Sequence, residues 1–370
     1  MHPPTTDQQA RFVTNLQRLL TEGEFVNTYK FALLLSLTRW AVEHPDHDER
    51  TPIDASELAP HFAELYWPHV RPFATANHNA DMVAESRPTF GTGADEWSQM
   101  LVQDRGQRTP LQAPRVLKKI RSAQASGARL HSLPRVARET LLNEVRRSIA
   151  EMPLTRLHKV RDSSEPMRFL YIPGPGRYEL RFEQGMVACL AHYALLVEEI
   201  VRSAWIRFVL RCNPRLLGAP AMVEDFLFPE SRASLATLRA PLAKVQGNAC
   251  FYCTRKIHGT PDVDHFLPWS RYRRDLGHNF VLAHSACNQA KSDHLASYEH
   301  LQRWHARNEA HGDSMAVQFD AAQVPHDWPT LKRVAGSLYE LAAGNTAMVW
   351  HSAGALVPLD SQWRQLLGTG

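Results

Sequence analysis

Residues 250–293 read CFYCTRKIHGTPDVDHFLPWSRYRRDLGHNFVLAHSACNQAKSD and contain two sets of potential metal ligands. The outer set is made of Cys250 and Cys253, separated by two residues, and of His284 and Cys287 with the same spacing. Two such pairs suit tetrahedral zinc, because each tight turn presents two ligands and the intervening segment closes the tetrahedron. All four positions are filled, so we predict a structural zinc with no position left for water.

The alternative for the outer set is buried thiols beside unrelated histidines, since cysteine is among the most buried residue types. Three of the five cysteines fall in this segment at ligand spacing, which favours zinc. His258 and His278 are alternative fourth ligands, and His284 is preferred because it repeats the spacing of the first pair. Cys189 and Cys212 lie in an apolar helical pattern and are predicted to be core thiols.

The inner set consists of Asp264, His265, Asn279, Asn288 and Lys291. Hydrolysis of a phosphodiester needs a general base that works near neutral pH, and a histidine meets that need. It also needs a hard cation to neutralise charge on the phosphate and the leaving oxygen. Hard cations prefer oxygen ligands such as the carboxylate of Asp264 and the amide of Asn288. The two sets together therefore predict a metal-dependent phosphodiesterase.

Local patterns predict a ββα arrangement for this segment. Val263–Leu267 and Phe280–Ala283 have the short apolar runs of strands, and Ser285–His294 has the pattern of a helix that follows them. On that helix Asn288 and Lys291 are three residues apart, so we expect both to project from one face.

With its inner and outer sets, the segment resembles the HNH endonucleases of the ββα-metal (His-Me finger) type that carry a zinc-binding CxxC flank. The resemblance implies that Asp264 ligates a catalytic Mg²⁺ or Mn²⁺, that His265 is the general base and that Asn279 orients the His265 ring. Asn288 stands where the family often has its last histidine and would complete the metal site. Lys291 would contact a phosphate.

One position departs from the family pattern, because the second zinc pair begins with His284 instead of a cysteine. The resemblance, which covers residues 250–293 of 370, implies hydrolysis of DNA with one strand cut per active site. A double-strand break would then need a homodimer or two separate events. Similar bacterial modules serve in restriction, phage defence, mobile elements and toxin systems.

Two other functions remain open from the sequence. A zinc-stabilised nucleic-acid-binding or adaptor protein without catalysis would keep the outer set and leave the inner set without a role. An HNH nuclease acting on RNA would keep both sets. The sequence has no aromatic-rich platform like that of an RNA-recognition motif, which favours DNA.

Charge is distributed unevenly along the chain. The formal net charge of +4 is too small to argue for nucleic acid by itself. Between Arg105 and Arg161, however, fourteen Lys or Arg stand against three Glu, a net of +11. This basic run predicts phosphate contacts, although a solvated helix face has the same pattern. The residues predicted to contact nucleic acid are Lys118, Lys119 and Arg121 in the basic run, and Arg271, Arg273 and Arg274 between the two strands of the module.

The whole chain is predicted to be a mostly helical α+β protein with the ββα-metal module embedded in it. We divide it into a helical N-terminal region (1–110), a basic helical region with a short β-hairpin and a long helix (111–243), the HNH module (244–300) and a helical C-terminal region (301–370). Residues 78–114 are the predicted linker. The short N-terminal helices fit either a helix-turn-helix unit or an ordinary helical bundle.

Individual elements follow from apolar periodicity and capping signals. The predicted helices are Gln8–Leu20, Thr28–Val42, Leu58–Tyr66, Met186–Leu210, Ser231–Val245, Leu295–Asn308 and Leu331–Ala343, and the predicted hairpin joins Arg168–Ile172 to Tyr178–Phe182.

Compartment signals point to the cytoplasm. Residues 1–22 lack the unbroken apolar core of a signal peptide, and the apolar runs are too short for a membrane span. The few cysteines cluster at metal-ligand spacing, which is typical of a reducing compartment. We therefore predict a cytoplasmic protein that makes no membrane contact.

Overall fold

A computed structural model of the protein describes residues 3–71, 73, 101–106, 114–124, 130–161, 163–216, 219–229 and 235–368. Most of the predicted linker lies outside these residues. The described chain is mostly helical, with three small antiparallel sheets among the described residues, which confirms the α+β prediction. It forms two compact units, here called the N-terminal unit (Pro4–Ala41 and His47–Glu230) and the C-terminal unit (Met1–Pro3, Val42–Asp46 and Ser231–Gly370). The division into four regions stays a prediction.

The N-terminal unit is built from helices around one large apolar core. Its elements are α1 (Thr6–Glu22), α2 (Tyr29–Glu43), β1 (Ile53–Asp54), α3 (Ala55–Tyr66), α4 (Arg115–Gln124), α5 (Arg135–Glu151), α6 (Pro153–Arg156), β2 (Tyr171–Pro173), β3 (Glu179–Phe182), α7 (Met186–His192), α8 (Ala194–Cys212) and α9 (Pro220–Leu227). The last two residues of α2 are assigned to the C-terminal unit. The core includes the fully buried side chains of Phe12, Trp40, Phe62 and Trp205.

Capping signals in the sequence set where two of these helices begin. Asp54 accepts a hydrogen bond from the backbone of Ser56, and the Glu57 side chain closes the capping box at the start of α3. Thr5 and Gln8 form the same arrangement at the start of α1. The predicted helices here and at α2 are confirmed, with ends shifted by at most three residues.

The predicted hairpin forms as β2 and β3, and β1 adds a third strand in the order β1-β3-β2. The predicted long helix Met186–Leu210 is wrong as a single element, because it breaks at Tyr193 into α7 and α8. The Tyr193 ring stacks on Phe12 at 5.8 Å between centroids, and its hydroxyl donates to Gln9 at 2.7 Å. Tertiary contacts of this residue therefore accompany a change of helix direction that periodicity does not reveal.

The C-terminal unit holds the residues of the predicted module and the helices around them. Its elements are α10 (Arg239–Gln246), β4 (Asp262–His265), β5 (Phe280–Ala283), α11 (Ser285–Lys291), α12 (Tyr298–Ala321), α13 (Trp328–Gly344), β6 (Met348–Ser352), β7 (Ala355–Pro358) and α14 (Trp363–Leu367). A 3₁₀ turn, Leu235–Leu238, precedes α10, and the first four residues of the helix predicted there lie outside the described ones.

Helix α12 supports the module from one side and runs thirteen residues beyond its predicted end at Asn308. Its buried Arg307 donates to the carbonyls of Phe280 and His278, each at 2.7 Å, and burial lowers the pKa of this arginine to about 9. Trp304, also on α12, stacks on Phe266 at 4.7 Å between centroids. These contacts fix the start of β5 and the residue that follows β4.

Candidate active site and metal centre

Strands β4 and β5 and helix α11 form the ββα arrangement predicted from the sequence. The strands pair antiparallel, with Asp264 opposite Val281 and His265 opposite Phe280. Alternation along β4 puts Asp262 and Asp264 on one face of the strand and His265 on the other. The helix ends at Lys291, three residues before its predicted end, because Ser292 adopts a positive φ of 50°.

The outer set comes together as one cluster. The potential ligand atoms of Cys250, Cys253, His284 and Cys287 lie within 4.8 Å of one another, and no other such group of His, Cys, Asp or Glu occurs in the described part of the chain. Thr254 follows the first pair at a positive φ of 61°, an unusual conformation for a β-branched residue, and its backbone N–H closes the turn on the Cys250 carbonyl at 2.9 Å.

The ring of His284 is arranged as a metal ligand requires. Its Nε2 lies 3.1 Å from the carbonyl of Lys256, so Nε2 carries the proton and donates it. Nδ1 then has a lone pair, and it faces Cys253 Sγ at 3.3 Å. The backbone N–H of His284 also points at Cys250 Sγ, at 3.4 Å. The predicted fourth ligand thus lies in the cluster.

Thiol acidity in the cluster also fits a cation. Burial acts to raise the pKa of Cys253, but hydrogen bonds from Arg255 and its neighbours lower it to about 6. Burial and the adjacent Cys250 raise the pKa of Cys287 to about 12. The opposite directions of these two pKa shifts mean that negative charge on one thiol opposes ionisation of its neighbour, and a cation bound between them would relieve that repulsion. A zinc ion is such a cation, so the residues present fit the metal.

Asp264 is nearly buried, and one of its oxygens has two donors. Oδ2 accepts from the Tyr252 hydroxyl at 2.5 Å and lies 3.2 Å from Lys291 Nζ. The other oxygen, Oδ1, forms no hydrogen bond among the described residues. Carboxylates that hold metals commonly have one oxygen fixed in this way by outer partners. The arrangement is compatible with the predicted role of Asp264 as a metal ligand.

Lys291 is buried, with a side-chain exposure of 0%. Besides Asp264, its ammonium group contacts the carbonyl of His265 at 3.0 Å. Burial lowers the pKa of Lys291, and Asp264 acts in the opposite direction. This position supports Asp264 and the end of β4, and the predicted contact of Lys291 with a phosphate stays a prediction.

Asn288 projects toward β4 and meets Asp262, a residue that the sequence interpretation did not single out. Asn288 Nδ2 donates to Asp262 Oδ2 at 3.1 Å, and the Ser285 hydroxyl donates to Oδ1 at 2.9 Å. Strand alternation would have been a sufficient signal, since Asp262 is two residues before Asp264 and shares its face. Both acidic residues of this face, with Asn288, are oxygen donors of the type that Mg²⁺ and Mn²⁺ prefer.

His265 lies at the end of β4 with its ring between two aromatic side chains. The ring centroid is 4.7 Å from that of Phe280 and 5.3 Å from that of Trp269. Its Nε2 lies 2.8 Å from Asp275 Oδ1. Asp275 stands ten residues downstream among arginines, and no motif in the sequence connects it to His265.

Asn279 is fully buried and holds the backbone after His265. Its Oδ1 accepts from the N–H of Leu267 at 2.8 Å, and its Nδ2 donates to the carbonyl of the same residue at 3.0 Å. The backbone carbonyl of Asn279 also accepts from Phe266 N–H at 2.9 Å. The amide contacts Leu267 and not the imidazole, so any effect of Asn279 on the His265 ring acts through the backbone.

The three arginines of the segment between the strands have different environments. Arg274 forms an ion pair with Glu43 at 2.6 Å, and both side chains are largely buried. Arg271 donates to the carbonyl of Asp293 at 3.0 Å. Arg273 is partly exposed. Arg274 is held in this ion pair, and the predicted contacts of all three arginines with nucleic acid stay predictions.

Part of the positive charge of the basic run is neutralised by a glutamate of the same run. On α5, Glu144 contacts Arg115, Lys119 and Arg147 at 3.0 to 3.3 Å, and the hydrogen bond from Arg115 is the largest cause of its lowered pKa. Lys119 on α4 nevertheless keeps 46% of its side-chain surface exposed. The predicted contacts of Lys118, Lys119 and Arg121 with nucleic acid stay predictions.

The two remaining cysteines lie outside the cluster. Cys189 is fully buried, and burial raises the pKa of its thiol to about 12. Cys212 packs against the same core, and burial raises its pKa to about 11. The prediction of a core thiol is confirmed for Cys189, whereas Cys212 is partly buried at the edge of the core.

Comparison with known protein families agrees with the geometry at this site. Residues 250–297 match the family described as HNH endonuclease, so the class of this module is an HNH nuclease domain. Residues 9–219, more than half of the chain, match the family described as Domain of unknown function (DUF8808), and the chain belongs to that family. No curated protein and no solved structure matches the chain. No described helix has both the length and the apolar character needed to cross a bilayer.

Proposed function

We propose that this protein is a metal-dependent HNH endonuclease that hydrolyses phosphodiester bonds in DNA. The observation that carries the proposal is the HNH match over 250–297 on a segment that folds as β4, β5 and α11. The non-catalytic alternative leaves the contact of His265 with Asp275 and the contact of Asn288 with Asp262 without a role.

The proposed chemistry assigns one task to each residue. His265 takes a proton from the attacking water as general base. Asp264 and Asn288 would hold Mg²⁺ or Mn²⁺, and Asp262 adds a carboxylate beside Asn288. A divalent cation held there stabilises the charge that develops on the phosphate and the leaving oxygen. Tyr252 and Lys291 orient Asp264, and Asn279 holds the backbone that follows His265.

The zinc cluster is assigned a structural role in this proposal. Cys250, Cys253, His284 and Cys287 would fill all four positions of a tetrahedral ion, so the zinc has no place for a substrate. It would fix the turn before β4 to the start of α11, and through α11 the position of Asn288.

We further propose which residues bind the DNA and in which setting the protein acts. The exposed lysines and arginines of α4, with Arg271 and Arg273, would contact DNA phosphates. One module per chain implies one cut strand per encounter, so a double-strand break would need a homodimer or two events. Restriction or phage defence in a bacterial cytoplasm is the proposed setting.

The proposal is tested with purified protein, supercoiled plasmid and labelled RNA, each incubated with Mg²⁺, with Mn²⁺ and with chelator. We expect conversion of supercoiled to nicked plasmid that requires the divalent ion and is absent from a His265→Ala preparation purified in parallel. Cleavage of RNA alone would transfer the proposal to RNA. Absence of cleavage of both substrates, together with retained zinc and retained DNA binding, would support the non-catalytic adaptor instead.

A further inference from the structure

Asp275 makes a contact that neither the HNH match nor the sequence motif assigns. Its Oδ1 lies 2.8 Å from Nε2 of His265, and the two side chains are only 13% and 16% exposed. The rings of Phe280 and Trp269 also contact the His265 ring, at 4.7 and 5.3 Å between centroids and tilted by 58° and 48°, so the imidazole packs in an aromatic environment beside this carboxylate.

Apart from its contact with His265, the carboxylate of Asp275 contributes little to the fold. Its second oxygen, Oδ2, is buried and has no hydrogen-bond partner among the described residues. Burial of a carboxylate with a free oxygen costs stability, and such a group in a native protein calls for an explanation. The segment around it is anchored by other groups, because Tyr272 and Arg274 both bind the buried carboxylate of Glu43.

The contact determines which imidazole nitrogen can act as a base. An ionised carboxylate only accepts hydrogen bonds, so the proton of the neutral ring must be on Nε2. Nδ1 then carries the lone pair. It has no hydrogen-bond partner among the described residues, and it is therefore the nitrogen available to a water molecule.

We propose that Asp275 is a positioning residue that holds His265 in the Nε2–H tautomer and so presents Nδ1 as the proton acceptor. The inference rests on the proposed hydrolysis. In the step concerned, an O–H bond of water breaks and an Nδ1–H bond forms while the water oxygen bonds to phosphorus. The P–O bond to the leaving nucleotide oxygen breaks, and that oxygen takes up a proton from solvent. The resulting imidazolium is positively charged and donates from Nε2 to the Asp275 carboxylate, which stabilises it. A carboxylate on the second ring nitrogen has this effect in other histidine bases.

The first test is Asp275→Asn, which keeps the shape of the side chain but offers an NH₂ group that favours the opposite tautomer. We expect plasmid cleavage to fall roughly 10²- to 10⁴-fold, the range of a general base, with unchanged zinc content and DNA affinity. The matched control is Asp320→Asn, since Asp320 makes the same kind of contact with His326 at 3.1 Å but is 76% exposed on α12. Cleavage by Asp275→Asn at the rate of this control would overturn the inference.

If Asp275→Asn folds poorly, two other measurements test the positioning role of Asp275. In Asp275→Ala, added formate should restore part of the missing cleavage activity, because a small carboxylate can occupy the vacated space; no restoration in a folded variant contradicts the role. In the wild-type protein, the ring ¹⁵N and ¹³C shifts of His265, assigned by comparison with His265→Ala, should report Nε2–H. An Nδ1–H ring would overturn the inference.

The proposed nuclease function and the proposed role of Asp275 are contradicted by different results. If wild-type protein does not cut plasmid or RNA, the proposed function fails, and the tautomer measurement still decides whether Asp275 fixes the ring. If wild-type protein cuts and Asp275→Asn cuts equally well, the nuclease stands and the role of Asp275 fails.

Discussion

Asp264 and Asp262 show how two carboxylates of one strand face acquire different environments. Asp264 lies next to the buried ammonium of Lys291, whereas Asp262 lies beside the partly exposed amide of Asn288. Both partners belong to α11 and are three residues apart, as the sequence predicts. The pattern could not predict their depth, because a helix face of only seven residues can tilt so that one residue is buried and the next is open. The sequence therefore predicted that Asn288 and Lys291 share one helix face, but it did not reveal their partners, and the catalytic roles of these residues stay predictions.

A pair of substitutions separates the base from the metal ligands. His265→Ala removes the proposed base and no zinc ligand, so zinc content, melting and DNA affinity should stay near wild type while cleavage falls roughly 10²- to 10⁴-fold. Asn288→Ala should cut more slowly because the oxygen cage of the divalent ion is weakened, so part of its activity should return at high Mn²⁺. Plasmid nicking rates measured across a Mn²⁺ titration give both results.

The exposed His258, which lies between Cys253 and β4, gives the matched control, and His258→Ala should cut at the wild-type rate. If His265→Ala also cuts at that rate in the same divalent ion, His265 is not the base. Full Mn²⁺ rescue of His265→Ala, with none for Asn288→Ala, would reverse the two assignments.

At the scale of elements, the four predicted zinc ligands connect three short pieces of the module. The turn at Cys250, the loop to β4 and the short helix α11 meet at the four ligands. A seven-residue helix is too short to be stable by itself, so its position depends on such a connection. Metal binding at sites of this kind is coupled to folding.

Cys250→Ser should therefore lose zinc and destabilise the module. Elemental analysis should give about one zinc per wild-type chain and much less for the variant. Calorimetry should show a lower melting temperature, because each kcal/mol of destabilisation shifts melting by about 2–4 °C in a unit of this size. Cys212→Ser changes a thiol outside the cluster and should keep its zinc. A full complement of zinc in Cys250→Ser would remove the cluster assignment.

The elements themselves were predictable where local signals decide them. The capping box of Asp54 and Glu57 fixes the start of α3, and alternation identifies the hairpin of β2 and β3. The other elements depend on long-range contacts, which local sequence patterns do not reveal. The break at Tyr193 accompanies contacts with α1. Hairpin β6–β7 was missed, because Met348–Ser352 has three apolar residues followed by two polar ones and does not alternate. Its pairing with Ala355–Pro358 depends on the turn at Gly354, whose φ of 74° favours glycine.

At the scale of the whole molecule, charge pairing determines what the basic run can contribute. The three glutamates of the run all take part in ion pairs with its own basic residues, as Glu139 does with Arg135 and Glu151 with Arg115. Exposed ion pairs of this type contribute little to stability. They hold long side chains in place without cancelling the excess of positive charge, since fourteen basic residues stand against three acidic ones.

Replacement of Lys118, Lys119 and Arg121 by Gln should weaken binding to DNA of any sequence. Neutralisation of a phosphate by a basic side chain releases counterions, so the slope of log K against log salt should become less steep by up to about 3, roughly 0.9 for each phosphate that is no longer neutralised. Arg115 and Arg147 remain to pair with Glu144, so α4 and α5 should stay folded. Binding of a fluorescent duplex, measured at several salt concentrations, gives the slope.

The matched control replaces Arg11, Arg18 and Arg207, which are exposed outside the run, and removes the same charge. If the two triple variants have equal slopes, net charge alone governs binding and α4 is only a solvated face.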